Sequence, residues 1–455
     1  MQKQELRAAA SLAAVFSVRM LGLFMIYPVF AVFARQLAGA TPYKIGLALG
    51  IYGLSQGLLQ IPFGLLSDRL GRKVMIVFGL ILFGLGSAVA ASSRSIDGMI
   101  WGRVLQGAGA VGSVILALVA DLTAEENRTK AMALVGMTIG FSFLVAIVAG
   151  PAVAGWIGIG GIFWLMAALA MVGIAITTFV VPKPRRLRLH REAEPVPALL
   201  GATLRNPELL RLDFGIFALH AMLTASFLVV PELLYGTLRV SSRDQWVVYL
   251  PVLLVSVAIM VPAIIVAERH RRMKTVLLGA IAALAVSQLM LAVGGHDVYV
   301  LIAAITLFFA GFNIMEASLP SLVTKTAPSG STGTATGIYS SSQFLGIFAG
   351  GVAGGWVNQT EGAVGVLILA CALAVLWLLV AGTMRRPSQL TTRVVQVSDR
   401  FAADADGLSA RLRQVPGVAE ALVVPEEGMA YLKVDSKTFD RAKAQSVAGA
   451  TDEPG

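Results

Sequence analysis

Five ionisable side chains fall inside long apolar stretches of the chain: Arg19, Arg103, His220, Glu232 and Glu316. Charged groups are costly in hydrocarbon, and membrane segments keep them mainly where they handle ions, protons or ligands. Histidine changes its charge near neutral pH, so His220 together with a nearby carboxylate such as that of Glu316 can hold or pass a proton. Arg19 needs a carboxylate, a water molecule or a substrate anion as its partner. These residue types predict proton handling inside a membrane.

The elements around these residues are predicted to be membrane-spanning helices. Hydrophobic residues make up 56% of the 455 residues and charged residues only 14%, whereas soluble proteins carry about 25% charged residues. A spanning helix needs about 20 mostly apolar residues. Twelve spans are predicted, at 10–33, 45–66, 74–91, 99–120, 131–153, 160–181, 214–234, 247–267, 275–294, 299–322, 333–357 and 363–384. The predicted fold class is an all-α membrane protein with 12 transmembrane helices and a small α+β domain after them.

The distribution of Lys and Arg predicts the orientation. We count 21 in the segments on the side of the N-terminus and five in the segments on the opposite side. Cytoplasmic loops carry such an excess, so both termini are expected in the cytoplasm of a bacterial-type cell, with the spans in its inner membrane. The same rule explains the net charge of +10 without nucleic acid as a partner.

This topology brings His220 and Glu316 to a similar depth. His220 lies six residues from the start of the seventh predicted span, and Glu316 lies six residues from the end of the tenth. Both ends are cytoplasmic, so each side chain lies roughly 9 Å into the membrane at about 1.5 Å per residue. We expect the two to be neighbours. A hydrogen-bonded interior histidine and a static salt bridge are the alternatives to a proton site.

The chain repeats itself after about 200 residues. Gly150, Gly155 and Trp156 recur as Gly350, Gly355 and Trp356, and the stretch from Pro62 is echoed from Pro262. Duplicated membrane halves are typical of secondary transporters, which bind their substrate between the halves. The predicted domains are an N-terminal six-helix bundle at 1–181, a basic cytoplasmic linker at 182–213 and a C-terminal six-helix bundle at 214–386.

The last 65 residues have a different character. Strands are predicted at 394–397, 418–424 and 429–434, with helices at 404–414 and 436–445. The order βαββα predicts a ferredoxin-like cytoplasmic domain at 391–448, followed by a disordered tail at 449–455. The single cysteine, Cys371, lies before this domain, which excludes a thiolate metal site in it. No metal and no cofactor is expected.

Three stretches resemble the major facilitator superfamily. Residues 64–73 read Gly-Leu-Leu-Ser-Asp-Arg-Leu-Gly-Arg-Lys and match that family's signature between the second and third spans. Residues 103–109 resemble its fourth-span motif. Gly140, Gly150, Pro151 and Gly155 resemble the fifth-span motif of its proton-coupled exporters. The resemblance covers about residues 10–385. Together with the C-terminal domain it is similar to the YajR-type transporters within that superfamily.

The resemblance implies a conformational latch on the cytoplasmic side. Asp68 is expected at the start of the eleventh span, near Gly333, because a helix N-terminus stabilises a carboxylate. Arg72 is expected to reach Asp121 at the end of the fourth span. The complete latch set is Gly64, Asp68, Arg69, Gly71, Arg72, Lys73 and Asp121. An alternative for Arg69 and Lys73 is that they only obey the positive-inside rule.

The remaining site predictions concern the fifth span and the cavity. Gly150 and Pro151 predict a kink, and Gly140, Gly150 and Gly155 predict close packing against the other half. The resemblance gives Arg103 a role in proton transfer, so the predicted proton site comprises His220, Glu316, Arg19 and Arg103. The cavity is expected between spans 1, 4, 7 and 10, with lining residues Phe24, Tyr27, Gln106, Phe217, Asn313 and Met315. This mostly apolar lining favours an amphipathic solute.

The function predicted from these features is secondary active transport. The leading hypothesis is proton-driven efflux of small organic compounds by alternating access, with a small-molecule substrate, protons and the lipid bilayer as partners and a monomer as the expected state. A proton-coupled uptake symporter and a non-transporting sensor that signals through the C-terminal domain are the alternatives. No nucleotide-binding motif or catalytic constellation is visible in the sequence, so an enzyme is not expected.

Overall fold

The computed structural model describes residues 3–123, 125–182, 196–385, 390–398, 404–425, 428–435 and 438–449. Residues 183–195 of the predicted basic linker and residues 450–455 of the predicted tail lie outside these residues. Within the described residues, helices account for most of the chain and one small sheet lies near the C-terminus.

Twelve spans cross the predicted membrane region. Spans 2, 3, 8, 9, 10, 11 and 12 are single helices at Pro42–Leu70, Arg72–Ser92, Trp246–Arg269, Met273–Gly294, Val298–Thr326, Thr332–Thr360 and Gly362–Gly382. Spans 5 and 6 are two helices within Glu125–Ala175 that meet at Gly158, whose φ of +68° is not helical, and a π-helical turn at Ile176–Val180 ends span 6. A short helix, Pro197–Thr203, precedes span 7.

Spans 1, 4 and 7 are each broken into two helices. Span 1 consists of Lys3–Met25 and Tyr27–Ala34, span 4 of Ile96–Ala108 and Gly112–Leu122, and span 7 of Pro207–Phe227 and Val230–Leu238. Prolines near the start of the second helix account for the breaks in spans 1 and 7, since proline lacks the N–H for the preceding turn. The sequence predicted unbroken helices here. Such breaks leave backbone N–H and C=O groups without intrahelical partners.

Length and apolarity identify most of these helices as spans. Ten helical segments are long and apolar enough to cross a membrane, and one of them, Lys130–Val180, contains both span 5 and span 6. Span 11 is 29 residues long but rich in Gly, Ser and Thr. The helices are longer than the apolar stretches from which the spans were predicted, because each helix continues into polar residues at its ends. The predicted fold class is confirmed.

The lipid-facing surface has an aromatic belt. Trp101, Trp156, Trp246 and Trp356 are exposed and lie at the outer ends of spans 4, 5, 8 and 11. Tryptophan prefers the membrane–water interface. The belt therefore marks the membrane–water boundary on the side opposite the N-terminus, where the loop charges predicted the outer face.

The two halves touch along spans 2 and 11. Gly46 and Gly50 lie against Gly351 and Gly355, and Gly57 lies against Ser341. These contacts cover the outer part of span 2, whereas further inward Gly64 faces Ser113 of span 4 in the same half. Small residues let helix backbones approach closely in membranes. The halves are therefore closed against each other on the outer side.

The C-terminal domain is a three-stranded antiparallel sheet with two helices. Strands β1 (Leu390–Gln396), β2 (Val418–Val424) and β3 (Met429–Asp435) lie in the order β1-β3-β2. The helices are Ala405–Arg413 and Arg441–Ala448. The second helix begins five residues later than predicted, because Asp440 caps it by accepting from the Lys443 backbone N–H at 2.9 Å.

The domain contacts the cytoplasmic end of span 10. The buried Lys433 Nζ donates to the Thr324 carbonyl oxygen at 2.6 Å. A cation at the C-terminal carbonyls of a helix is favourable because these carbonyls lack intrahelical partners. This contact ties the C-terminal domain to the helix that carries Glu316.

Candidate functional site

The structure brings His220 and Glu316 together, as predicted. His220 lies on span 7 with 1% of its surface exposed, and its Nε2 is 3.8 Å from Glu316 Oε2 on span 10. Gln343 of span 11 completes the group, with its Nε2 2.8 Å from His220 Nε2. One histidine thus joins three helices of the C-terminal half.

The hydrogen bonds assign a neutral tautomer to His220. Its Nδ1 is 3.3 Å from the Ile216 carbonyl oxygen, which can only accept, so Nδ1 carries the proton. Its Nε2 then accepts from the Gln343 amide, as that amide is oriented here. A proton added at Nε2 would face another donor at Gln343 and would be drawn to the Glu316 carboxylate instead. Protonation would therefore break the Gln343 bond as it is arranged here and favour a bond from Nε2 to Glu316 of span 10.

Two more titratable residues lie near this group. Asp213 on span 7 is 6% exposed, and Tyr339 on span 11 lies within electrostatic range of both Asp213 and Glu316. Sequence reasoning missed Asp213 because the hydropathy window of span 7 began at residue 214. The helix begins at Pro207, so Asp213 lies almost two turns inside it. Asn206 caps that helix by accepting from the Glu208 N–H at 3.0 Å, and Asn-Pro was the signal for the true start.

Arg19 lies in the N-terminal half, apart from the histidine group. Its Nη2 donates to the Tyr52 hydroxyl at 2.8 Å and to Gln56 Oε1, both on span 2. Gln56 Nε2 in turn donates to Gln60 Oε1 at 2.7 Å. Arg19 Nε and Nη1 are buried without a hydrogen-bond partner. Arg19 is therefore a buried cation surrounded by neutral polar groups.

Arg103 holds spans 2 and 4 together. Its Nε and Nη2 donate to the carbonyl oxygens of Ala48 and Leu49 at 3.2 and 3.3 Å, and its Nη1 donates to Gln106 Oε1 at 2.5 Å. The guanidinium also lies 4.7 Å from the centre of the Tyr52 ring. These contacts satisfy Arg103 within the N-terminal half. The predicted grouping of Arg19 and Arg103 with His220 and Glu316 is thus not a single cluster.

Gln106 does not line the space between the halves. Its Nε2 donates to Ser87 Oγ of span 3 at 2.8 Å and contacts Met166 Sδ of span 6 at 3.3 Å. Asn313 is also turned toward a neighbour in its own half, because its Nδ2 donates to Ser256 Oγ of span 8 at 2.9 Å. Polar side chains in a span form hydrogen bonds with adjacent helices when these offer partners. Sequence spacing alone does not show which side of the helix faces such a partner and which side faces the cavity.

Two of the other predicted cavity residues, Phe24 and Tyr27, lie near the contact between the halves. Phe24 and Tyr27 of span 1 are buried, and Tyr27 OH is 3.3 Å from Thr224 Oγ1 of span 7. An aromatic cluster continues from them across both halves through Phe143, Phe227, Tyr249, Phe308, Phe309 and Phe312. Phe217 is half-buried on span 7, and Met315 is 1% exposed on span 10. The cluster closes the outer part of the central space.

An ion pair adds to this outer closure. Arg35 at the end of span 1 pairs with Glu232 in the outer helix of span 7. Both side chains are partly exposed, at 53% and 33%. Glu232 is therefore a residue of the outer mouth.

The cytoplasmic latch residues form a network around Arg72. Its side chain is 2% exposed, pairs with Asp68, and donates through Nε to Asp121 Oδ2 at 3.1 Å. Its Nη1 donates to Ser67 Oγ at 2.7 Å. The predicted contact between Arg72 and Asp121 is present. The described partner of Asp68 is Arg72 and not the start of span 11, which begins at Thr332.

The rest of the latch set has structural roles. Gly71 has a φ of +97° between spans 2 and 3, a conformation that glycine adopts without strain. Lys73 Nζ donates to the carbonyl oxygens of Thr178 and Val181 at 3.2 and 2.8 Å, at the end of span 6. Gly64 faces Ser113 of span 4. Arg69 is exposed.

One contact of this arrangement, that of Lys73, recurs in the second half after 201 residues. Lys274 Nζ donates to the carbonyl oxygens of Gly382 and Met384 at 2.8 and 2.7 Å, at the end of span 12. It is therefore the structural counterpart of Lys73. Glu268 and Lys325 form an ion pair at 2.9 Å between spans 8 and 10.

The glycine contacts of the fifth-span motif differ from the prediction. Backbone dihedral angles stay helical at Pro151, and the break within Glu125–Ala175 lies at Gly158, between spans 5 and 6. Gly150 packs against Met25 of span 1, in the same half, and a Cβ placed on Gly140 would meet no neighbouring atom within 4 Å. Among the three glycines, Gly155 alone contacts the other half, where it lies against the Arg243 side chain.

Comparisons with known proteins agree with this architecture. The chain matches the Major Facilitator Superfamily over residues 12–351 and 212–415, and the YajR YAM domain over residues 396–448. It is 44% identical to the inner membrane transport protein YajR of Escherichia coli strain K12, over 96% of each chain.

More distant proteins share parts of the chain or its fold. Multidrug resistance protein 2 of Bacillus subtilis is 32% identical over 169 residues, which are 36% of this chain and 41% of that protein. The solved structure of the nucleoside transporter NupG covers 84% of this chain and all of its own, with a TM-score of 0.65 and 14% identity. That likeness concerns the fold alone. The chain belongs to the major facilitator superfamily, as a multi-pass transport protein of the inner membrane.

Proposed function

We propose that this protein exports small organic compounds in exchange for protons, by alternating access between its two halves. The observation that carries the proposal is the group of His220, Glu316 and Gln343, because a proton there changes contacts between helices. The proposal also draws on the name of the Bacillus subtilis relative, a multidrug resistance protein that is similar over part of the chain.

The coupling step is a change of partner at His220. In the outer-closed arrangement described above, neutral His220 accepts a hydrogen bond from Gln343 of span 11. A proton on Nε2 removes that acceptor, so the Gln343 amide must turn its oxygen toward the imidazolium or release it, and the new N–H is drawn toward the Glu316 carboxylate 3.8 Å away. Span 11 also carries the glycines that contact span 2. Protonation therefore weakens the attachment of His220 to the helix that holds the outer side closed.

The two mouths provide the alternative closures. The outer closure consists of the spans 2 and 11 contact, the aromatic cluster and the ion pair between Arg35 and Glu232. The cytoplasmic closure would be the latch around Arg72, with Asp68 moving to the start of span 11. A ligand or proton that prefers one of these closures shifts the population toward it.

The test is a proton-flux screen on the full chain in liposomes. A pH-sensitive dye inside the liposomes reports proton movement when compounds from a chemically varied set are added. We expect a subset of compounds to drive flux in the wild type, and His220→Ala and Glu316→Gln to abolish it. Unchanged flux in both variants would remove the proposed proton site. Flux in the direction of uptake, measured with the opposite gradient, would instead support a symporter.

A further inference from the structure

We propose that Arg19, with Gln56, Gln60 and Tyr52, binds an anionic group of the transported compound, so that the substrate class is an organic anion. This inference rests on the proposed transport function and deepens it. The observation is the guanidinium of Arg19, which is 1% exposed and has two nitrogen atoms without a hydrogen-bond partner.

The donors of Arg19 are only partly used. A guanidinium has five N–H groups. Nη2 directs its two toward Tyr52 OH and Gln56 Oε1. The N–H on Nε and the two on Nη1 are buried and unpartnered. Buried donors are normally satisfied, and three unpartnered donors on a single cation point to a site built for an acceptor.

The described acidic residues of the N-terminal half are engaged elsewhere. Asp68 and Asp121 pair with Arg72, and Asp97 pairs with Lys44 on the outer side. Glu5 accepts from Asn127 Nδ2 near the cytoplasmic end of span 1. Each lies near a membrane boundary, whereas Arg19 lies in the middle of span 1. The cation therefore has no described carboxylate as counter-charge, and an uncompensated buried charge is costly.

The surroundings suit an oxyanion. Gln56 and Gln60 are buried on one face of span 2 and are linked by a hydrogen bond of 2.7 Å. Gly112, at the break of span 4, lies beside them. A Cβ there would be 3.2 Å from Gln60 Nε2 and 3.7 Å from Arg19 Nη1, so glycine keeps clear the side on which Nη1 is unpartnered. A carboxylate at this position would accept from the guanidinium, whose bonds to carboxylates are strong and charge-assisted.

The experiment measures binding without transport. The full chain in detergent is heated with benzoate, salicylate or 1-naphthoate, and in parallel with the corresponding carboxamides, which have nearly the same shape and no charge. We expect a rise in the melting temperature with at least one carboxylate and none with its carboxamide. Arg19→Gln should raise the apparent Kd of that carboxylate at least tenfold. Arg19→Lys keeps the charge but not the planar donor set, and should bind with an intermediate Kd.

Controls separate this site from general charge effects. Arg94→Gln removes one positive charge from an exposed position of the same half and should leave the Kd unchanged. Gly112→Ala should raise the Kd while Arg19 is retained, which a purely structural role of Arg19 would not produce. Equal stabilisation by carboxylates and carboxamides, stabilisation by chloride or phosphate alone, or carboxylate binding that survives Arg19→Gln would overturn the inference.

The outcome is distinguishable from that of the transport proposal. Carboxylate binding that depends on Arg19, with no proton flux for any compound in liposomes, would support the anion site and contradict proton exchange. Proton flux driven only by cationic or neutral compounds would do the reverse.

Discussion

The contact between spans 2 and 11 makes a quantitative prediction for Gly351→Ala. A Cβ at Gly351 would lie 2.8 Å from the Cα and 2.9 Å from the backbone N of Gly50. Carbon atoms prefer about 3.5–4.0 Å, so the two helices must separate by about 1 Å on the outer side. Overpacking of this kind costs about 1–3 kcal/mol.

That cost applies to the outer-closed conformation and not to one in which the helices are apart. The population should therefore shift toward the outer-open conformation by a factor of about 5–150. Paired spin labels at the outer ends of spans 2 and 11, in a Cys371→Ser background, measure this shift as a longer distance. Gly279→Ala is the matched control, because Gly279 has no atom within 4 Å of its Cβ position. Equal distance distributions in the two variants would refute the packing argument.

Three further predictions concern ion pairs and the C-terminal domain. Arg35→Gln removes a partly exposed pair with Glu232, which is worth about 0.2–1 kcal/mol. It should therefore raise the population with the longer outer distance by a few-fold at most, and an increase as large as that of Gly351→Ala would contradict the view that helix packing contributes more to outer closure than this ion pair. Asp121→Asn removes one of the two carboxylates that pair with the buried Arg72, while Asp68 stays. Because a fully broken buried pair costs about 3–5 kcal/mol, we expect a smaller loss here and a lower melting temperature, and an unchanged melting temperature would contradict a stabilising role of this pair. Lys433→Met removes the bond to the Thr324 carbonyl oxygen at the end of span 10 and should speed hydrogen exchange of the backbone there. An unchanged exchange rate would show that other contacts hold the domain.

The sequence predicted the architecture well because its signals are long. Twelve apolar windows, loop charges and the repeat are each spread over many residues, and single errors do not change the result. The proximity of His220 to Glu316 was predicted by counting residues from the cytoplasmic ends of the two predicted spans, since the rise per residue of a helix is constant.

Contacts of individual side chains were less predictable. Gln106 has the composition of a cavity residue but bonds to Ser87 and Met166, and the face it uses depends on helix rotation. Asp213 was not predicted as a site residue because the apolar stretch used to locate span 7 stops at the first charged residue. The glycines recur after 200 residues, whereas the lysine that bonds to the end of the last span of its half recurs after 201 residues, at Lys274. Helix packing decides these details.

The most direct test of the central claim is the pH dependence of distances on both faces of the protein. Spin-label pairs report the outer ends of spans 2 and 11 and, separately, the cytoplasmic ends of spans 4 and 10. Because outer closure contains neutral His220 bound to Gln343, acidification should lengthen the outer distance and shorten the cytoplasmic one. His220→Gln should remove this response. Distances that never change in opposite directions, or a response that persists in His220→Gln, would contradict proton-coupled alternating access at this site.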